Sequence, residues 1–258
     1  MRNILLILIV FFGVYINKIY SQQQQSETSL NKTVVIVHGA WGGSWAFKGV
    51  DSVLTGEGFN VYRPSLTGLG ERVHLSDCEI NLSTHIKDVV NLILYEDIDD
   101  IVLIGHSYGG MVVTGVADSL AERIKHLIYV DAFIPNDHES LMDIAGDTAW
   151  LKKMTSGNFV VPFWVAPDQS PPKDVPHPIN TLTEKIILNS ETAKHIPGTY
   201  ILTVEGGKVA EEDNFYKQSN RAKDRGYELF QLEADHNPQW SALDPFCDLL
   251  IKIISEIK

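Results

Sequence analysis

One serine in this chain stands where a nucleophile can be built. In Gly105-His-Ser-Tyr-Gly109 it lies between two glycines, directly after the apolar run Ile101–Ile104 and ahead of a helix-forming stretch. This is G-x-S-x-G in the strand–turn–helix context that the pattern requires. So sharp a turn strains the backbone, and crowding favours residues without a β-carbon two positions before and after the serine. A neutral hydroxyl is a weak nucleophile and needs a base beside it. Of nine histidines, His236 is best placed, because it follows the last predicted strand in Glu233-Ala-Asp-His-Asn-Pro238. The base in turn needs a carboxylate to fix its tautomer and stabilise the imidazolium. Two compete, and both keep the chain order nucleophile, acid, base. Asp131 ends an apolar strand in Tyr129-Val-Asp-Ala-Phe133, and Glu205 ends the next one in Thr203-Val-Glu-Gly-Gly207. Asp131 is preferred: a carboxylate there has little other purpose, whereas Glu205 stands near Glu211, Glu212 and Asp213 in what reads as a solvated loop.

Acyl-transfer chemistry also needs two backbone N–H groups aimed at the developing oxyanion, each contributing about 10²–10³ in rate. The Tyr108 amide is one. The second is expected from the glycine-rich loop His38-Gly-Ala-Trp-Gly-Gly43, at Ala40 or alternatively Trp41. No G-x-x-x-x-G-K-[ST] pattern follows, which excludes a P-loop. Trp41, Trp150, Phe159, Phe163 and Trp164 are the candidates for an apolar substrate pocket. His38 and His106 read as packing or loop-shaping residues, Asp235 as a loop-former, and the remaining histidines carry no contextual signal.

The elements that must position these groups follow a regular rhythm. Strands are predicted at Thr33–Val37, Asn60–Tyr62, Ile101–Ile104, Leu127–Val130, Thr199–Val204 and Tyr227–Leu232. Helices are predicted at Trp45–Thr55, Ser83–Leu94, Tyr108–Leu120, around Asp213–Asp224 and from Pro245 onward. Apolar strands alternating with helices imply an α/β fold with a mostly parallel, doubly wound sheet of about six strands. The rhythm fails over about 135–196, a proline-rich stretch expected to be an inserted lid over the carboxyl ends of the strands, where such sheets bind ligands.

The first 21 residues pair Arg2 with the apolar run Ile4–Ile16. That run is short for a bilayer span and suits an export signal, giving a periplasmic or secreted protein; an uncleaved anchor is the alternative. Residues 22–32 read as a disordered, Gln-rich lead-in to a domain covering 33–258. Loss of Arg2 and Lys18 with the leader takes the formal charge from −12 to −14. A surface this acidic, without a Lys/Arg cluster, argues against nucleic-acid binding. After signal removal no stable membrane span is expected. Cys78 and Cys247 read as independent thiols. Neither H-x-H nor H-E-x-x-H occurs, so no metal site is expected.

Four stretches together carry a family resemblance: Val37-His-Gly-Ala-Trp41, Leu66-Thr-Gly-Leu-Gly-Glu-Arg72, Thr84-His-Ile-Lys-Asp-Val-Val-Asn-Leu92 and Gly105-His-Ser-Tyr-Gly-Gly-Met111. Over roughly 33–258 the chain resembles the α/β-hydrolase superfamily, and most of all its small bacterial serine esterases, related to plant methyl esterases and hydroxynitrile lyases. The resemblance implies the α/β-hydrolase fold, a Ser–acid–His triad, an acyl-enzyme and no cofactor. By position it assigns Ser107 as nucleophile, His236 as base, and Ala40 and Tyr108 as oxyanion donors. The acid it leaves open, since Glu205-Gly-Gly stands where the usual aspartate would be. The implied substrate is a small-molecule carboxylic ester or lactone, with a macrolide lactone one candidate because serine-dependent macrolide esterases share these features. Two other readings stand beside it. One is a non-hydrolytic receptor on the same fold. The other is a hydroxynitrile lyase-like enzyme, although Gly39 and Asn237 replace the threonine and lysine that such lyases carry.

Overall fold

The computed structural model describes residues 32–146 and 148–257. The export signal expected over 1–21, and all but the last residue of the lead-in, lie outside the described residues. Among the described residues no helix is long and apolar enough to cross a membrane, and Cys78 and Cys247 are both free thiols.

Thr33–Val37 (β1) is buried along its whole length, and its alternate residues serve opposite faces. Val35 and Val37 enter one apolar cluster, Val34 and Ile36 the other. Side chains of a strand point alternately up and down, so a strand apolar on both sides belongs inside a sheet covered by helices above and below. Ile101–His106 (β3 below) divides in the same way: Ile101 and Leu103 face one cluster, Val102 and Ile104 the other.

In chain order the strands are β1, β2 (Asn60–Tyr62), β3 (Ile101–His106), β4 (Ile124–Val130), β5 (Thr155–Ser156), β6 (Phe159–Val160), β7 (His177–Pro178), β8 (Gly198–Val204) and β9 (Glu228–Glu233). Six of them form one sheet in the order β2-β1-β3-β4-β8-β9, and every neighbouring pair is parallel. One face is covered by the helices Leu82–Tyr95 and Gly109–Ser119, the other by Lys48–Gly56 and Leu243–Glu256. Every strand of a parallel sheet ends on the same edge, so the residues after β1, β3, β4 and β9 converge there.

Departures from the expected elements are local. The helix expected from Trp45 opens as a tighter 3₁₀ turn, Ser44–Phe47, and becomes α-helical at Lys48. The last helix starts at Leu243, two residues before Pro245, so the proline falls in the first turn, where a missing N–H breaks no bond. The segment 135–196 is not wholly irregular. It holds the short helices Leu141–Ile144, Ala149–Met154 and Asn180–Thr183, and β5-β6-β7 form a small antiparallel sheet.

Candidate active site

Ser107 follows β3 with φ of +54°, a left-handed conformation that serine adopts only when its surroundings enforce it. They do so through close packing. A β-carbon on Gly109 would stand 2.5 Å from the Val37 carbonyl oxygen, and one on Gly105 would stand 2.7 Å from Val113 Cγ2. Only glycine lets the elbow sit this close to β1 and to its own helix. The Ser107 hydroxyl donates to His236 Nε2 at 3.0 Å, and His236 Nδ1 donates to Asp131 Oδ2 at 2.7 Å. The other Asp131 oxygen accepts the Thr203 N–H at 3.1 Å. The Asp131 side chain is 1% exposed, so these donors replace the water it has lost. The imidazole lies against the Phe215 ring at 4.7 Å and 12°, with His106 on it at 4.9 Å. His106 also donates from Nε2 to the His236 carbonyl at 2.7 Å, fixing the base at its main chain. Glu205 takes no part in this chain of bonds: it sits in the turn after β8, half exposed, in an ion pair with Lys208.

The loop after β1 is held from two sides. Beneath, His38 accepts the Leu66 N–H at Nε2 (3.1 Å) and donates from Nδ1 to the Gly39 carbonyl (2.8 Å). Above, the insertion grips Trp41, whose φ is +63°. The Trp41 N–H donates to His177 Nδ1 at 3.1 Å, its carbonyl accepts the Val175 N–H at 2.9 Å, and its indole N–H donates to the Val160 carbonyl at 2.9 Å. With its amide engaged, Trp41 has no donor to offer an oxyanion. Among the described residues the Ala40 and Tyr108 amides donate to no protein group, so both remain available.

These groups share a cavity of about 450 Å³, lined by Ala40, Trp41, Ser107 and His236 together with Trp164, Asp174, Asn237, Gln239 and Trp240, among others. The sequence pattern that defines the alpha/beta hydrolase family matches residues 34–249. The chain belongs to that family. A carbendazim hydrolyzing esterase of a Nocardioides species (strain SG-4G) is 50% identical over 108 residues, 42% of this chain and 45% of that protein. Methylesterase 1 of Arabidopsis thaliana is 24% identical over 88% of this chain and 98% of its own length. Among solved structures, an extracellular α/β-hydrolase from a Paenibacillus species, described as sharing homology with tobacco Salicylic Acid Binding Protein 2, superposes with a TM-score of 0.72 at 23% identity. It covers 86% of this chain and 98% of the other, and it shows the shared fold.

Within this α/β-hydrolase the expected aromatic pocket is only partly assembled. Trp41 and Trp164 line the cavity, with ring centroids 5.2 Å apart and edge to face. Trp150, Phe159 and Phe163 are not among its lining residues. Trp150 packs against Trp41 with ring centroids 6.1 Å apart, Phe159 is part of β6, and Phe163 is 79% exposed with its ring against Trp164. Apolar composition marked the segment, but two-residue strands and short helices give no periodicity from which to read the inward face. The missed wall is Trp240, stacked on Trp45 at 5.6 Å and 16°. The signal for it was its place in the short helix Pro238–Ser241, immediately after the base.

Four buried histidines around the site stay neutral because burial disfavours the charged ring. His38 and His85 are lowered to about 4, His106 to about 3, and His177 also lies well below its ordinary value. Their bonds agree. His177 Nδ1 accepts from Trp41, so the proton sits on Nε2, facing Thr181 Oγ1 at 2.6 Å. A folded-state pKa below the unfolded one means that only the unfolded chain takes up protons as pH falls through about 6.5. Stability is therefore complete above that pH and is withdrawn below it. Each such histidine costs roughly 1.4 kcal/mol per pH unit until its folded pKa is reached. Thermal melts should show a steep drop in Tm between about pH 7 and pH 5. A flat profile would mean these rings are protonated in place.

Proposed function

We propose that this chain is a serine hydrolase that cleaves a carboxylic ester through an acyl-enzyme. The observation that carries the reading is the unbroken sequence of short contacts Ser107 Oγ–His236 Nε2–Asp131 Oδ2 at the rim of a cavity. In the first half-reaction Ser107 Oγ attacks the ester carbonyl and His236 Nε2 takes its proton. The Ala40 and Tyr108 amides receive the oxyanion, and Asp131 holds the imidazolium that forms. His236 then returns the proton to the departing alcohol, leaving Ser107 acylated. In the second half-reaction His236 draws a proton from water, which attacks the acyl carbon and frees the acid and Ser107.

The relatives named esterase and methylesterase support ester hydrolysis, and the cavity supports a compact substrate. A volume of about 450 Å³ sits at the small end of ligand pockets. A lactone is opened by the same steps, whereas a macrolide ring would require the insertion to swing aside. A lyase reading finds no lysine or arginine on the cavity wall to stabilise a departing anion. Export to the periplasm or medium is part of the proposal and rests on the Arg2–Ile16 leader.

A fluorophosphonate probe tests the nucleophile, because Ser107 Oγ displaces fluoride and keeps the phosphonyl group. Peptide mass mapping is expected to find the adduct on the peptide holding Ser107. An unlabelled Ser107, with no turnover of p-nitrophenyl acetate, a methyl ester, a macrolide or carbendazim, would return the chain to a receptor role.

A further inference from the structure

The charge of the cavity is one-sided. Its wall carries the Asp174 carboxylate and no lysine or arginine. His38 and His106, also on the wall, are kept neutral by burial. Asp174 Oδ2 accepts the Trp164 indole N–H at 2.7 Å. Among the described residues Oδ1 has no partner, and Asp174 has no ion pair. That oxygen lies 3.8 Å from where a β-carbon on Gly42 would stand, so it hangs over the loop that carries the Ala40 amide. Trp41, Trp164 and Trp240 line the same cavity.

An acceptor for one indole could be any amide oxygen, so the Trp164 bond does not account for a full charge here. Burial raises this carboxyl above its ordinary value, because no counter-charge compensates for the water it has lost. The charge also works against a neutral ester, because negative charge develops on the carbonyl oxygen nearby as Ser107 attacks. A positive group on the substrate removes that conflict, and indole faces add attraction for the same group. The formal charge of −12 draws cations toward the molecule as a whole.

We propose that the cavity binds the positively charged nitrogen group of its ester substrate, with Asp174 as counter-charge and Trp41, Trp164 and Trp240 as walls. This rests on the ester-hydrolase reading and narrows its substrate class to esters bearing an amidinium or ammonium group.

The test separates the two claims. Benzamidine and its uncharged analogue benzamide are titrated calorimetrically into the full chain and into Asp174→Asn, which keeps an oxygen acceptor for the Trp164 indole. In the parent, benzamidine is expected to bind at least about tenfold more tightly than benzamide, and in the variant the preference should fall to near unity. Equal affinities in the parent, binding of neither compound, or a preference that survives in Asp174→Asn would each overturn the proposal. Methyl 4-amidinobenzoate and methyl 4-carbamoylbenzoate then compare kcat/KM in the parent. Equal rates for both would overturn the cation preference and leave ester hydrolysis standing. Selective amidinium binding without hydrolysis of either ester would uphold the cavity assignment and sink the esterase reading.

Discussion

Ser107→Ala is expected to lower kcat by about 10⁶, the scale set by removing the nucleophile from serine proteases with the same constellation. In the proposed mechanism every covalent step passes through Ser107 Oγ, so a cavity whose binding groups are intact would retain only the acceleration given by positioning and the oxyanion donors. The variant should fold as well as the parent, since the hydroxyl makes one bond, to His236. It should therefore keep its Tm and its affinity for substrate. Steady-state hydrolysis of p-nitrophenyl acetate, read beside a thermal melt, decides the matter. Residual activity within tenfold of the parent would rule out Ser107 as the nucleophile.

The second large effect separates the two carboxylates. Asp131→Asn is expected to reduce kcat by about 10⁴, because an amide at that position can present an N–H to His236 and trap the wrong tautomer. Geometry is preserved while the electrostatics are inverted: the imidazolium loses its counter-charge in a spot that is 1% exposed. Glu205→Gln, by contrast, loosens a solvent-exposed pair with Lys208, and pairs of that kind contribute little. Its kinetics should match the parent's. If Glu205→Gln is the crippled variant and Asp131→Asn is not, the acid has been misassigned.

What the amino-acid order revealed depends on how local the evidence was. Ser107 announces itself through its own neighbours: four apolar residues before it, glycines at 105 and 109, a helix after. Asp131 stands out because a charge at the tip of an apolar strand conflicts with its setting unless another residue answers it, and His236 does so from 105 positions away. The sheet was legible for the same reason, since each strand writes its burial into consecutive residues. The cavity wall was not. Asp174 sits in a proline-rich stretch without periodicity, and its place over Gly42 arises from β5-β6-β7 folding back on the loop after β1. His177 looked like any other histidine, because its partner, the Trp41 amide, is 136 positions away. Trp150 and Phe163 misled in the opposite direction: large apolar side chains suggest a pocket, but here one flanks Trp41 and the other faces solvent.

The grip of the insertion on Trp41 has a consequence for anyone re-engineering this scaffold. Three bonds, to His177, Val175 and Val160, tie the inserted segment to the strand-end loop beside Ser107. Grafting a different cap to broaden the range of accepted molecules would thus also shift the Ala40 amide, and turnover would change along with selectivity. A cap exchange that keeps a hydrogen-bond acceptor at position 177 and the strand pairing of 155–178 should preserve speed while altering choice. One that discards them should slow every substrate alike.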